Sequence, residues 1–397
     1  MTVTPRALAA LLALALLVAA CTETPSPSPA DPAPPGAPTS PGTAPQADAP
    51  AAVEAVQGIR PVHRLFRETT VACDNGLRCE VLLVGDDSSF GLVLRLLREP
   101  GPGGAQRLRL GTYETTPPPA TLRLDTVAST DLPALPWRND ADANAWVLDT
   151  PQAIARFIDL VRDAGTLSMG EGDAAVSVSL AGFSAALVFV DEHQHRLDTR
   201  GAWLQRGDRH DADVTPAPAL PRLPGPPPPL PSLTGEEVRS FADRVRDTEA
   251  AVLRGAECDA PRAAYDIRRN DDAQALDRAH VLVFVACHMG AYQGSSLVFR
   301  VARDGSRSER IVPPSPPGAG IVEVGGAAHF GLLTSAAYVP ATGTLSHLAK
   351  GRGLGDCGEA ATWRYDGQAF QLASYSALRR CGGAAPGDWP SLWRTAD

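Results

Sequence analysis

Short apolar segments, broken by Gly, Pro, Asp and Asn, recur through the first half of the chain. Segments of this kind are typical of strands joined by tight turns. They predict strands around 67–84, 91–97, 105–113 and 120–127. Because no regular alternation of strands and helices follows, the pattern favours antiparallel sheet over repeated β-α-β units.

Helical periodicity occurs at two places in this half. Thr150 can cap the first helix, and Pro151 suits its first position, where no backbone N–H is needed. The predicted apolar face of this helix consists of Ile154, Phe157, Ile158 and Val161. A second helix is predicted from Ser184 to about Arg196, after a short strand at 174–183.

The second half begins with an amphipathic pattern at 235–255, which predicts one helix. At 279–305 two apolar runs flank a turn and predict a pair of strands, and from 319 to 376 short strands alternate with Gly, Asp and Pro turns. The predicted fold class is therefore α+β, mainly antiparallel β with a few packed helices.

The N-terminus has the pattern of an export signal, which we assign to residues 1–20. Arg6 precedes an apolar run that ends at Ala20 and is too short to span a bilayer as a mature helix. The sequence VAAC, which ends at Cys21, resembles a bacterial lipobox, and the resemblance implies cleavage before Cys21 and lipid attachment to its sulfur. Thr22, in place of Asp, implies sorting to the outer membrane. The alternative is an ordinary signal peptide followed by an incidental cysteine.

Two proline-rich segments divide the mature chain. Residues 21–52 contain no aromatic residue and cannot bury enough apolar surface to fold, so we predict a flexible tether behind the lipid. Residues 214–233 form a second proline-rich segment, which we interpret as a linker. The parts at 53–213 and 234–397 are each long enough for a core of their own. We predict an N-terminal α+β domain and a C-terminal, mostly-β domain.

The net charge of −9 is spread without a basic block. Such a surface has no charge attraction for nucleic acid or for anionic lipid headgroups. The expected partner is the membrane, through the N-terminal lipid, and another envelope protein is a further candidate. We expect no nucleic-acid partner and no cofactor.

The chain contains seven cysteines, of which the predicted lipid takes Cys21. In an exported chain the remaining even number indicates disulfides. If the two predicted domains do not cross-link, the two cysteines of the first half pair with each other. In the second half, proximity in sequence favours two further pairs, although other connectivities remain open. The favoured pairs are Cys73–Cys79, Cys258–Cys287 and Cys357–Cys381. Asn75-Gly76, inside the first pair, predicts a hairpin with a type I′ turn and positive φ at both central residues.

The sequence GRGLGDCG contains the spacing Gly-x-Gly-x-x-Gly, from Gly353 to Gly358, which also occurs in dinucleotide-binding loops. Such a loop must open a helix, whereas here Asp366-Gly367 predicts a hairpin. Cys357 lacks a closely spaced second thiol or imidazole for a metal site, and Asp356 beside it opposes thiolate formation. We therefore interpret the motif as tight backbone turns around one half of a disulfide.

Ser184 is the strongest catalytic candidate, because it lies between a predicted strand and a predicted helix, as in the nucleophile elbow of serine hydrolases. Asp208 and His210 follow in the order that such enzymes use. However, Ala186 replaces the glycine that closes the motif, and Asp208 and His210 are too near each other to act from opposite sides of an imidazole. Capping of a helix is the other interpretation of Ser184.

Three histidines, His193, His195 and His210, form the candidate metal site. The first two would share a face on a strand, but they diverge at the end of a helix, where we place them. Histidines near a helix C-terminus also complement the helix dipole without any metal. We expect no metal, and these three residues are the candidate ligands if one binds.

Four motifs, CDNGLRC, CHMGAY, GRGLGDCGEAATWRYDGQAF and WPSLWRT, together resemble a family of exported bacterial proteins with six cysteines. That family is known as a domain of unknown function, number 1176, and the resemblance extends over about residues 60–395. It implies that the six cysteines of the predicted disulfides correspond to those of the family. More weakly, DLVRDAGTLSM and AAVSVSLAGFSAALVF resemble invasion-associated locus B proteins, which are exported and linked to host-cell entry. A shared fold would not carry that role over.

These patterns together predict a lipoprotein of the outer membrane that faces the periplasm, with the cell surface as an alternative location. We expect a non-catalytic binding or structural module of two disulfide-stapled domains. A periplasmic serine hydrolase that uses Ser184 is the alternative hypothesis.

Overall fold

The computed structural model describes residues 59–86, 90–126, 134–225, 227–228, 230–258, 265–316, 330–385 and 387–396. The predicted signal peptide, the lipid-bearing Cys21 and the tether lie outside the described residues. No helix among the described residues is long and apolar enough to cross a membrane.

Ten strands and two α-helices lie in the described part of the first half. The strands are β1 (Val62–Phe66), β2 (Thr69–Cys73), β3 (Cys79–Leu83), β4 (Val93–Arg98), β5 (Gln106–Gly111), β6 (Arg123–Leu124), β7 (Arg138–Asp140), β8 (Ala145–Leu148), β9 (Thr166–Met169) and β10 (Val176–Ser179). The helices are α1 (Pro151–Val161) and α2 (Phe183–His193). An antiparallel sheet has the order β1-β2-β3-β4-β5-β8-β7, and a smaller one has the order β10-β9-β6.

In the described part of the second half, two helices are followed along the chain by two further sheets. The helices are α3 (Gly235–Thr248) and α4 (Ala250–Gly255). The strands are β11 (Asp272–Ala275), β12 (His280–Met289), β13 (Gly294–Ala302), β14 (Ser308–Ile311), β15 (Leu333–Thr334), β16 (Ala337–Val339), β17 (Thr344–Lys350), β18 (Gly358–Tyr365), β19 (Phe370–Leu378) and β20 (Ser391–Trp393). One sheet has the order β11-β12-β13-β14, with β15 also on β13, and the other runs β16 to β20 in sequence. Short 3-10 helices lie at Pro119–Thr121, Gly172–Ala174, Asp211–Asp213 and Ile267–Asn270. The predicted α+β class with mainly antiparallel sheets is confirmed.

The helix start at Thr150 is as predicted. The Thr150 side chain accepts a hydrogen bond from the backbone N–H of Ala153 at 3.4 Å, and Pro151 occupies the first turn. The predicted apolar face is buried against the large sheet and forms part of its core.

The start of α2 depends on a glycine rather than on Ser184. Gly182 is the N-cap, with φ at 90°, and a Cβ there would lie 1.8 Å from the carbonyl oxygen of Phe66. Only glycine permits both the positive φ and this close approach. The capping role considered for Ser184 therefore belongs to Gly182.

Two predicted elements differ in length from those found. The helix predicted at 235–255 is divided at Glu249 into α3 and α4, and α3 begins with a capping box between Thr234 and Glu237. Of the strand predicted at 120–127, residue 127 lies outside the described residues, and the rest is reduced to the two residues of β6, because the turn before it forms a 3-10 helix that begins at Pro119. Proline has a fixed φ and no N–H, so it suits such a turn better than a central strand.

The hairpin at CDNGLRC is present, but the predicted type I′ turn is wrong. Leu77 has φ at 63°, whereas neither Asn75 nor Gly76 has a positive φ. The turn is longer than two residues, since the Asp74 N–H donates to the carbonyl of Arg78 at 2.9 Å. The carboxylate of Asp74 accepts the N–H groups of Gly76 at 2.8 Å and Arg78 at 3.0 Å, so it replaces the backbone pairing that a type I′ turn would supply.

The two halves share an apolar contact as well as hydrogen bonds. One hydrophobic cluster contains residues from both halves, namely Leu82, Val84, Leu378, Ala384 and Trp389. The Gly85 N–H donates to the Gly382 carbonyl at 3.0 Å, and a Cβ on Gly382 would lie 2.3 Å from the Gly85 oxygen. Residues 57–397 thus form one unit. That each half can fold alone stays a prediction.

Candidate functional site

The six cysteines of the folded region form three disulfides. The structure joins Cys73 to Cys79, Cys258 to Cys287 and Cys357 to Cys381. These are the pairs that sequence proximity favoured. The first pair joins directly opposed residues of β2 and β3.

The loop GRGLGDCG is held by a buried carboxylate. Asp356 is fully buried, and it accepts hydrogen bonds from the Arg352 guanidinium at 2.6 and 2.8 Å and from the N–H groups of Gly382 at 3.0 Å and Gly383 at 2.9 Å. Burial alone would raise the pKa of Asp356, but these hydrogen bonds outweigh it and lower the pKa to about 2. The loop leads into β18 and not into a helix. It therefore supports the Cys357–Cys381 disulfide, as interpreted from the sequence.

Two motifs that carry the family resemblance contact each other. The Asn75 side chain donates to the Arg394 carbonyl at 2.9 Å and accepts from the Arg394 N–H at 2.8 Å. The Arg394 guanidinium also bonds the buried Asp74 carboxylate. CDNGLRC in the first half is thereby joined to WPSLWRT at the end of the second, so both motifs have a structural use.

Ser184 has no contact of the kind that activates a nucleophile. It is the second residue of α2, and its hydroxyl donates to the Arg162 carbonyl at 2.8 Å. Asp208 and His210 lie on an exposed loop. None of the hydrogen bonds found among the described residues joins the Ser184 hydroxyl to an imidazole.

The three candidate histidines do not come together. His193 is the last residue of α2 and stacks on Phe189 at 5.7 Å, while His195 is exposed with φ at 58° and His210 is exposed. Burial, and to a smaller extent His195, lowers the pKa of His193. Within the described part of the chain, neither group of residues able to hold a metal contains two of these histidines.

The segment around these histidines contains a buried polar network that the sequence analysis did not predict. Asp191 and Arg98 are almost fully buried and form an ion pair at 3.1 Å. The other contacts of the Asp191 carboxylate are the N–H groups of Trp203 at 2.9 Å and Leu204 at 3.0 Å. Burial raises the pKa of Asp191 and lowers that of Arg98 to about 9, because either charge is costly in the interior. The sequence offers one indication of this network, because Asp191 lies beside Val190 on the apolar face of a predicted helix.

An apolar cavity lies between α1 and the small sheet. Its volume is about 700 Å³. Its walls are Pro119, Ala120, Leu122, Arg123, Leu124, Ala134, Leu135, Trp137, Trp146, Phe157, Leu160, Val161 and Leu167. The Trp137 ring meets the Phe157 ring edge-on at 5.9 Å, and the Trp146 indole N–H donates to the Pro117 carbonyl at 2.8 Å. The aromatic side of the cavity is thus fixed by packing and by a hydrogen bond.

Among the described residues, Arg123 is the one charged residue in the wall of this cavity. Its guanidinium donates to the Leu122 carbonyl at 2.9 Å, and its second terminal nitrogen lies 3.6 Å from a carboxylate oxygen of Glu171. The Glu171 side chain is 76% exposed, so this ion pair is weak and can be exchanged for another anion. No sequence pattern predicts this site, because its residues come from five separate parts of the chain.

The chain belongs to a family of proteins without an assigned activity. The family model described as "Protein of unknown function (DUF1176)" matches residues 63–396. The chain is also similar to the uncharacterized protein YpfG of Escherichia coli (strain K12), with 31% identity over 348 residues that cover 84% of this chain and 93% of that protein. No solved structure matches. The weaker resemblance to invasion-associated locus B proteins is not shown by these comparisons.

Proposed function

We propose that this protein is an envelope lipoprotein that binds one acyl chain of an anionic amphiphile, such as a fatty acid, and catalyses no reaction. The observation that carries the proposal is the apolar cavity of about 700 Å³, in whose wall Arg123 is the single cation among the described residues. Ligand sites commonly measure roughly 300–1,000 Å³ and combine apolar walls with a few polar groups. The aromatic wall would receive the chain, and Arg123 would pair with the anionic head in place of Glu171.

The expected affinity follows from the apolar surface that a bound chain loses to the protein. Each buried methylene contributes about 0.8 kcal/mol, so ten of them contribute roughly 8 kcal/mol before the cost of association is subtracted. A charge pair with Arg123 adds to this at low ionic strength. Subtracting about 4 kcal/mol, the low end of the cost of association, leaves about 4 kcal/mol, which corresponds to a dissociation constant of about 1 mM before the charge pair is added.

Displacement of a fluorescent fatty-acid probe from the purified full chain tests the proposal. We expect Leu160→Glu to weaken binding at least tenfold, because it places a carboxylate in the apolar wall. Leu65 is 57% exposed on β1 and lies outside the cavity, so Leu65→Glu is the matched control. Equal binding by both variants would refute the cavity as the site.

The role of Arg123 can be separated from that of the apolar wall. Arg123→Gln should weaken binding of a fatty acid but leave binding of the uncharged alcohol of the same chain length unchanged. If the variant loses affinity equally for the two ligands, Arg123 does not bind the anionic head.

The membrane location rests on the sequence. A short apolar leader, the VAAC sequence before the tether and an even number of remaining cysteines support export, lipidation at Cys21 and residence at the outer membrane facing the periplasm. Palmitate labelling in cells should occur in the wild type and be absent in Cys21→Ser. Labelling that persists in Cys21→Ser would contradict lipidation at this residue.

The hydrolase alternative receives no support from the geometry around Ser184, since its hydroxyl already donates to a backbone carbonyl. The proposed module therefore binds its ligand and releases it unchanged.

A further inference from the structure

The Cys73–Cys79 disulfide has an imidazole beside it. The two cysteines end β2 and begin β3, where they are directly opposed, and both are fully buried. The C-terminal residue of α2, His193, places one ring nitrogen within 4.8 Å of both sulfurs. A hairpin and a helix that is distant from it in sequence therefore bring two sulfurs and one nitrogen close together.

One of the two nitrogens of this imidazole has no hydrogen-bond partner among the described residues. Nε2 of His193 is buried, and none of the described residues forms a hydrogen bond with it. The ring is held in place by stacking on Phe189, with the two planes at 12°. A buried polar atom without a partner destabilises the fold unless a ligand satisfies it, and native structures contain few of them.

The other two disulfides provide an internal comparison. Cys357 and Cys381 lie beside Asp356, but that carboxylate is already occupied by Arg352 and two backbone N–H groups. Within the described residues, no third metal-ligating side chain accompanies Cys258 and Cys287. Only the first pair, among the described residues, combines two sulfurs with an unused nitrogen.

We propose that Cys73, Cys79 and His193 form a binding site for a soft metal ion, Zn²⁺ or Cu⁺, whenever the two cysteines are reduced. Two thiolates and an imidazole are the ligand types that both ions prefer. Binding of the ion breaks two S–H bonds, releases two protons and forms two metal–sulfur bonds and one metal–nitrogen bond. No electrons are transferred in this step.

Metal binding and disulfide formation then exclude each other. Formation of the disulfide removes two electrons and two protons from the same thiols and passes them to a disulfide oxidant of the exchange type. If the chain is exported, as proposed above, it enters its compartment with free thiols, so the ion can occupy the site before the bridge forms. The disulfide in this structure is the oxidised alternative of the same site.

Titration of the reduced full chain under nitrogen tests the proposal. Zn²⁺ is followed by competition with a chromogenic chelator and Cu⁺ by competition with bicinchoninate, so the two arms distinguish the ions. We expect one equivalent of one of them to bind, and we expect His193→Gln to weaken that binding at least tenfold. Every thiol of the wild type remains in this variant, and therefore binding that needs thiols alone is common to both proteins.

His210→Gln is the matched control, because His210 is an exposed histidine outside the cluster. Equal affinity of the wild type and His193→Gln for both ions would overturn the proposal. So would loss of the folded tryptophan fluorescence on reduction, because the three ligands meet only in the folded chain. A second readout is the oxidation rate of the pair Cys73–Cys79, followed by alkylation and mass spectrometry. The bound ion should slow this oxidation at least tenfold in the wild type and leave it unchanged in His193→Gln.

Discussion

The buried pair of Asp191 and Arg98 should be the most sensitive polar contact in the first half. Asp191→Ala removes a carboxylate that accepts three hydrogen bonds, one from Arg98 and two from backbone N–H groups of Trp203 and Leu204. The guanidinium that remains is buried and keeps the hydrogen bond to the Gly201 carbonyl and the face of the Trp203 ring, which lies 4.9 Å away. The variant therefore contains a buried charge without its counterion.

The size of the effect follows from these contacts. Removing one partner of a buried ion pair costs about 3–5 kcal/mol, a figure that already contains the unpaired donors. The folded unit spans residues 57–397. With an unfolding entropy of about 2.1 cal/mol/K per residue, a unit of this length loses roughly 6 °C in Tm for about 4 kcal/mol.

Urea unfolding followed by tryptophan fluorescence measures the loss, with Asp149→Ala as the control. Asp149 pairs with Arg138 at 2.7 Å, but both side chains are about half exposed. An exposed pair of this kind contributes about 0–1 kcal/mol. If Asp191→Ala loses no more stability than Asp149→Ala, the argument from burial is refuted.

A double variant separates charge from packing. Replacing both residues by leucine, as Asp191→Leu with Arg98→Leu, removes the unpaired charge and should recover a large part of the lost stability. A double variant as unstable as Asp191→Ala would show that the shape of the network, and not its charge, is what the fold requires.

Three further predictions concern the junction, the carboxylate at the disulfide and the serine. Gly382→Ala should lower the free energy of unfolding in urea by about 1–3 kcal/mol, because its Cβ would lie 2.3 Å from the Gly85 oxygen. Gly225→Ala is the control and should be neutral, since a Cβ there would have no atom within 4 Å. Equal losses of stability in the two variants would contradict the argument from close approach. The pKa of Asp356 is lowered to about 2, so the stability that its carboxylate contributes is present above the unfolded pKa of about 4 and is lost as pH falls through about 2. Tm should therefore fall more steeply between about pH 4 and about pH 2 in the wild type than in Asp356→Asn. Parallel curves of Tm against pH would argue against this contribution. A fluorophosphonate probe should leave the wild type unlabelled, whereas labelling that Ser184→Ala abolishes would favour the hydrolase.

Most elements with a strong local signal were predictable. Thr150 and Pro151 marked the start of α1, and the hairpin around CDNGLRC was evident from its turn residues and flanking apolar runs. The type of that turn could not be predicted, because its geometry is decided by the Asp74 carboxylate and not by the Asn75-Gly76 pair. Backbone preferences are local, whereas a buried side chain can replace the hydrogen bonds on which those preferences rest.

The candidate sites were less predictable than the fold. The sequence suggested three histidines as possible ligands, and the structure separates them: His193 lies against a disulfide, while His195 and His210 are exposed. The apolar cavity had no sequence signal of its own, since Trp137, Trp146 and the other wall residues read as ordinary core positions.

By itself, the sequence determined the α+β class, the membership in a six-cysteine family and the favoured disulfide pairs, because periodicity, turn residues and cysteine spacing are properties of neighbouring positions. Tertiary structure alone decided that Arg98 meets Asp191, that His193 reaches the Cys73–Cys79 pair and that α1 leaves a cavity above the small sheet. Each of these contacts joins residues far apart in the chain. Their proximity depends on how the sheets and helices pack together, and a local sequence pattern does not predict that packing.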